Sequence, residues 1–173
     1  MHDPRDEIWN STFDTYYESY YGEVVAQRLA RRWQLIDQVT KVLIAITASG
    51  SAVAGWTLWS EEGFKTLWVI IAGVVALLAI IHSAMSVADR LKDAGDVSHS
   101  FAALRIEVET FRYRMRIDPE FPIEDFTGEL VEYRRRYGEC VQRIKDDIFR
   151  TKRLKLKAQD AVDERLKGEI LTE

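Results

Sequence analysis

Residues 66–88 read TLWVIIAGVVALLAIIHSAMSVA, and no Asp, Glu, Lys or Arg interrupts them. A helix needs about 20 mostly apolar residues to cross about 30 Å of hydrocarbon. An uncharged run of this length exceeds the ordinary helix of a soluble domain, which speaks against a pair of buried helices. Leu67, Val69, Ile70, Ile71, Val74, Val75, Leu77, Leu78, Ile80, Ile81 and Val87 each favour insertion, by about 0.3–0.6 kcal/mol. Upstream lies a second charge-free stretch, 42–60, between Lys41 and Glu61. Its Val42, Leu43, Ile44, Ile46, Val53 and Leu58 are diluted by Thr47, Ser49, Gly50, Ser51, Gly55 and Thr57. It is marginal alone and is expected to insert with its neighbour as a hairpin.

Trp56, Trp59 and Trp68 flank the connecting residues 60–65. Tryptophan favours the headgroup level, so the three are expected to mark one membrane interface. Arg28, Arg31, Arg32 and Lys41 precede the hairpin, Arg90 and Lys92 follow it, and the link offers only Lys65. The positive-inside bias therefore predicts a multi-pass topology with both termini cytoplasmic. Residues 1–7 have no basic stretch joined to an apolar core, so no cleavable signal is expected.

Composition narrows the chemistry. Lys+Arg number 24 against 28 Asp+Glu, a net charge of −4, which argues against a nucleic-acid binder. The single Cys140 excludes an intramolecular disulfide framework and a Cys-based zinc site. His2, His82 and His99 show no ligand spacing, and there is neither a Gly-rich phosphate loop nor a nucleophile elbow. The expectation is no enzyme, no cofactor and no metal.

The segments outside the hairpin carry helical periodicity. Over 11–40 a helix is predicted, capped by Ser11 or Thr12, with Phe13, Tyr16, Tyr17, Tyr20 and Tyr21 near three-four spacing. Arg31, Arg32 and Trp33 are placed at the membrane interface. After the second span the helix is expected to continue, with Gly95 permitting a bend. Val97, Phe101, Leu104, Val108 and Phe111 then alternate by four and three, a heptad seam. Ile117-Asp118-Pro119 ends it, because the residue before proline disfavours helix. A final helix is expected from Glu124, with Phe126, Leu130, Tyr133, Tyr137, Cys140, Ile144 and Ile148 as its seam and Cys140 an inert core thiol. Beyond Arg150 only a weak stripe (Leu154, Val162, Leu166, Ile170) persists, which fits an end that projects or is covered by a partner.

The predicted fold is an all-α membrane protein: a two-transmembrane helical hairpin with a cytoplasmic helical bundle or coiled-coil region. An N-terminal amphipathic helix occupies 1–40. The hairpin occupies 41–88, with spans at about 42–60 and 66–88. The cytoplasmic helical region occupies 89–173, with a turn near 118–123 that folds the two seams into an antiparallel pair.

Small residues line each span: Ala45, Ala48, Ala52 and Gly55 in the first, and Ala72, Ala76, Ala79 and Ser83 in the second. Lipid gives helices no hydrophobic reason to associate, so close approach through small residues drives packing within the hairpin and between copies. Thr40, Thr47 and Ser51 form a hydroxyl face on the first span. Such groups bond across helices, bond back to their own helix, or line the water of an oligomeric pore. His82 sits near the end of the second span, where a water or carbonyl partner is expected.

The layout resembles the SLATT family, two-transmembrane effector domains associated with SMODS nucleotidyltransferases and SLOG domains in bacterial conflict systems. The likeness rests on the aromatic pre-membrane helix with Ala30-Arg31-Arg32 and Trp33, the short hairpin and the continuing helix. Ile117-Asp118-Pro119 before a long terminal helix adds to it, and the whole covers roughly Tyr16 to Leu166. The resemblance implies a homo-oligomeric effector of the bacterial inner membrane in antiviral defence. It would form a pore or disrupt the bilayer under control of a sensor protein encoded nearby. A nucleotide ligand is implied only for the system and has no residue placed here. The alternative expectation is a membrane anchor or scaffold whose helical region holds a cytoplasmic partner.

Overall fold

The computed structural model describes residues 4–57, 62–117, 120 and 122–170, which form five helices with no strand among them. These are α1 (Pro4–Thr57), α2 (Glu62–Ala84), α3 (Val87–Ile117), α4 (Ile123–Ile144) and α5 (Lys152–Ile170). α1 begins seven residues before the expected cap, at Pro4, where a proline loses nothing because the first N–H groups of a helix are unpaired anyway. Asp6 and Glu7 in its first turn suit the positive end of the helix dipole. Thr12 caps nothing; its hydroxyl donates to Trp9 O at 2.7 Å inside the helix.

The chain divides into two compact units, Met1–Ala30 with Asp93–Glu173, and Arg31–Lys92. The division falls inside α1 and α3 rather than at helix ends.

In the first unit α3 and α4 run antiparallel. Arg114 pairs with Glu129, Arg136 pairs twice with Glu107 (Nη2 to Oε1 at 3.0 Å), and Arg143 Nη2 lies 3.3 Å from Asp93 Oδ1. The core holds Ile8, Leu104, Val108, Phe111, Phe126 and Tyr133, with Tyr16, Met115, Leu130 and Tyr137 packed around them. Val97, Phe101 and Ile144 are buried as well. Phe111 meets the edges of Phe126 and Tyr133 at centroid distances of 5.4 and 5.6 Å. α1 packs against α3 at Gly22, where an added Cβ would lie 2.6 Å from the ring of Phe101. Arg105 Nε donates to Glu23 Oε2 at 2.9 Å, and Arg112 lies 3.9 Å over the Trp9 ring while donating to Trp9 O.

Three expectations change. The helix does not continue unbroken past Ala84. It breaks at Met85-Ser86, where Ser86 takes a left-handed φ of 47°, while Gly95 lies within α3. The final helix is two helices. Asp147 Oδ1 accepts from Phe149 N at 2.8 Å and Thr151 Oγ1 from Leu154 N at 3.3 Å, so an Asx-type turn and a new cap interrupt it. Ile148 is thereby turned outward. Finally, α5 does not project: Leu154, Ala158 and Val162 are buried, and Tyr17 donates to Asp163 Oδ1 at 2.6 Å. Asp118, Pro119 and Phe121 of the expected turn lie outside the described residues.

Candidate functional site

The second unit is built around α2. Thr66–Ala84 spans 19 residues with a mean hydropathy of 2.4, and 6% of it is buried. A core helix of a soluble domain would be mostly covered; this one leaves Leu67, Val69, Ile70, Ile71, Val74, Leu77, Leu78, Ile80 and Ile81 exposed. Among the described residues it is the one helix long and apolar enough to cross a membrane. The stretch from 42 onward enters α1, which runs to Thr57, and most of it lies outside the residues whose side chains are described.

α2 has an inner face. Trp68, Ala72, Val75, Ala79 and His82 are buried or half-buried at spacings of four and three, whereas Ala76 and Ser83 point outward. Two of the four small residues therefore lie on the covered side. On α1 the inner positions are Trp33, Asp37 and Thr40, all buried, followed by half-buried Leu43 and Thr47. Leu35, Val39, Val42, Ile44, Ala45, Ile46 and Ala48 are exposed. Trp33, at 2% exposure, is a packing residue rather than one facing headgroups. Arg31 is exposed and Arg32 half-buried. Ser51, Ala52, Gly55, Trp56 and Trp59 lie outside the residues whose side chains are described.

The hydroxyl face splits likewise. Thr40 is buried in this unit, and Thr47 donates to Leu43 O at 2.8 Å, bonding back within its own turn.

At the end of the inner seam sits a charged cluster that the charge count stopped short of. Asp37 Oδ2 accepts from Lys41 Nζ at 2.7 Å, one turn on, and Asp37 Oδ1 lies 3.1 Å from His82 Nε2 on α2. The Asp37 side chain is 11% exposed and that of Lys41 68%. Hydrogen bonding from the Lys41 ammonium, and then from His82, holds the Asp37 carboxyl below the usual carboxylate range. The partner of His82 is thus a carboxylate, not the water or carbonyl expected. A buried anion with one partner per helix ties α1 to α2 at a fixed height. The 45-residue gap between Asp37 and His82 hid the pair; its only trace was an acidic residue one turn before Lys41.

Burial raises the pKa of the Cys140 thiol, which disfavours the reactive thiolate. Among the described residues no three His, Cys, Asp or Glu are grouped to hold a metal. A cleft of about 500 Å³ between α1 and α4 is lined by Asp14, Tyr17, Glu18, Arg134 and Tyr137, with acidic and basic groups mixed and none paired as nucleophile and base.

No known protein family, no curated protein and no solved structure matches this chain.

Proposed function

We propose that the chain is a membrane-embedded effector that assembles with copies of itself in a bacterial inner membrane and opens a pore there. The observation that carries the reading is the bare apolar surface of α2 over Thr66–Ala84. Water would leave that surface unpaired with any apolar partner, whereas hydrocarbon solvates it. The stretch 42–60 inserts beside it as a second, weaker span, which puts both termini on the cytoplasmic side. Two helices enclose no lumen, so a conducting path needs several chains. Thr40 is buried and Thr47 bonds to its own helix, which is compatible with a closed pore. Opening turns them to water, and the Asp37–His82 tie resists that rotation. The resemblance to SLATT effectors supports the same reading and adds a sensor partner as the trigger.

The test is dye release from vesicles that contain the purified protein. Thr40→Val with Thr47→Val should weaken leakage by dewetting the narrow section, and Asp37→Asn should raise it by untying α1 from α2. Leakage from neither the native chain nor Asp37→Asn would favour an anchor that holds a cytoplasmic partner. The densely packed first unit is what that second reading rests on.

A further inference from the structure

α3 carries a second heptad line besides the one it buries. His99, Ala103, Ile106, Thr110, Tyr113 and Ile117 follow one another at four, three, four, three, four, and all are exposed. Ile106 is 54% exposed, Tyr113 64% and Ile117 63%. A solvated helix face carries charges at such positions; this one carries none in six. From this face we infer a docking surface for α3 of a second copy of the same chain, in parallel and in register.

The flanking charges select that occupant. Counting Thr110 and Ile117 as a positions and Ile106 and Tyr113 as d positions, Glu109 stands at g and Arg114 at the following e. In a parallel pair a g residue faces the e residue five positions on in its partner. Glu109 then meets Arg114 of the second copy, and symmetry repeats the pair on the other side. Arg114 already bonds Glu129 of its own chain, and a guanidinium with five N–H donors can serve both carboxylates. Ile106, Tyr113 and Ile117 stack on their own equivalents, and Thr110 supplies the one polar layer between them. The parallel sense rests on that charge pairing, because an antiparallel pair sets g beside g and e beside e. Neither the surface nor its sense rests on the membrane reading.

The test uses the full chain in bacterial membranes, in a Cys140→Ala background. Single cysteines replace Ile106, Tyr113 or, as control, the exposed Thr127 on α4. Mild oxidation should give disulfide-linked dimers for Ile106→Cys and Tyr113→Cys, several-fold above Thr127→Cys. Glu109→Arg should lower the Tyr113→Cys yield several-fold, and adding Arg114→Glu should restore it. Yields at 106 and 113 no higher than at 127 would overturn the proposal. So would mixed Ile106→Cys and Ile117→Cys chains linking better than either alone, the mark of an antiparallel pair. Flotation of the same samples separates the two readings. Dimers in protein that does not float count against the membrane alone, and floating protein without dimers counts against this interface alone.

Discussion

In the first unit α1 buries Val25, Ala26 and Leu29 and turns Glu18 and Gln27 outward. In the second it buries Asp37 and Thr40 and turns Leu35, Val39, Val42, Ile44 and Ile46 outward. Buried polar groups find partners in both stretches: Thr15 and Ser19 donate to Ser11 O and Thr15 O, and Asp37 takes Lys41 and His82. What reverses is the outer face. A helix with polar groups inside and aliphatic groups outside obeys the usual partition with lipid in the place of water. If the second unit sits in lipid, as proposed, the two differ in solvent and not in packing rule, and each should fail under a different insult.

The largest effect expected is on the apolar unit. Ile70→Arg with Leu77→Arg adds about 2.5–3.5 kcal/mol per arginine against insertion. Both positions are exposed on α2, so the chain should lose its membrane fraction after an alkaline wash while the first unit keeps its fold. Next comes Phe111→Ala, which empties the centre of the other core and should cost about 3–5 kcal/mol. Thermal unfolding in detergent should fall, with membrane partition unchanged.

Two glycines sharpen the comparison within the first unit. Gly22→Ala gains about 1 kcal/mol of helix propensity but drives a methyl group into Phe101, a clash of about 1–3 kcal/mol that makes the net change destabilising. Gly128→Ala on α4 meets nothing within 4 Å and should stabilise by up to about 1 kcal/mol. Melting temperatures that shift in opposite directions would support the α1–α3 contact; equal shifts would refute it. Tyr17→Phe removes the hydroxyl bond to Asp163 and should cost about 0.5–1 kcal/mol. That bond and burial push the Tyr17 phenol up to about 12. Its stabilising share is complete below the ordinary tyrosine value and disappears as pH rises through the folded one.

The smallest effect belongs to Asp37. Its carboxyl is held below the ordinary range, so its stabilising share is present above the ordinary carboxylate value and is lost as pH falls through the folded one. The native chain should lose some melting temperature on acidification between those values that Asp37→Asn does not lose.

The legible parts of this fold were those set by local period. The buried heptad of α3 and the uncharged run of α2 can be read by counting, since burial and lipid both impose a spacing on neighbouring residues. The break between α4 and α5 was in principle readable from Asp147 and Thr151, but the apolar period ran across it through Ile148. α5 was underrated because Ala158, its central buried residue, adds little hydrophobicity to a stripe surrounded by lysines. Ser86 gave no sign, because serine rarely takes a left-handed φ. The Asp37–His82 tie was hidden since tertiary pairs leave no period, and Trp33 was misplaced because an aromatic residue beside arginines reads alike in a core and at a headgroup.

The central claim is that the bare face of α2 is solvated by lipid. A spin label at Val74→Cys, in the Cys140→Ala chain reconstituted in vesicles, reads it directly, because Val74 is 52% exposed on that face. Collision with dissolved oxygen should be high there and collision with a water-soluble nickel chelate low, with the reverse at Thr127→Cys. Equal nickel access at both positions would place α2 in water and contradict the account.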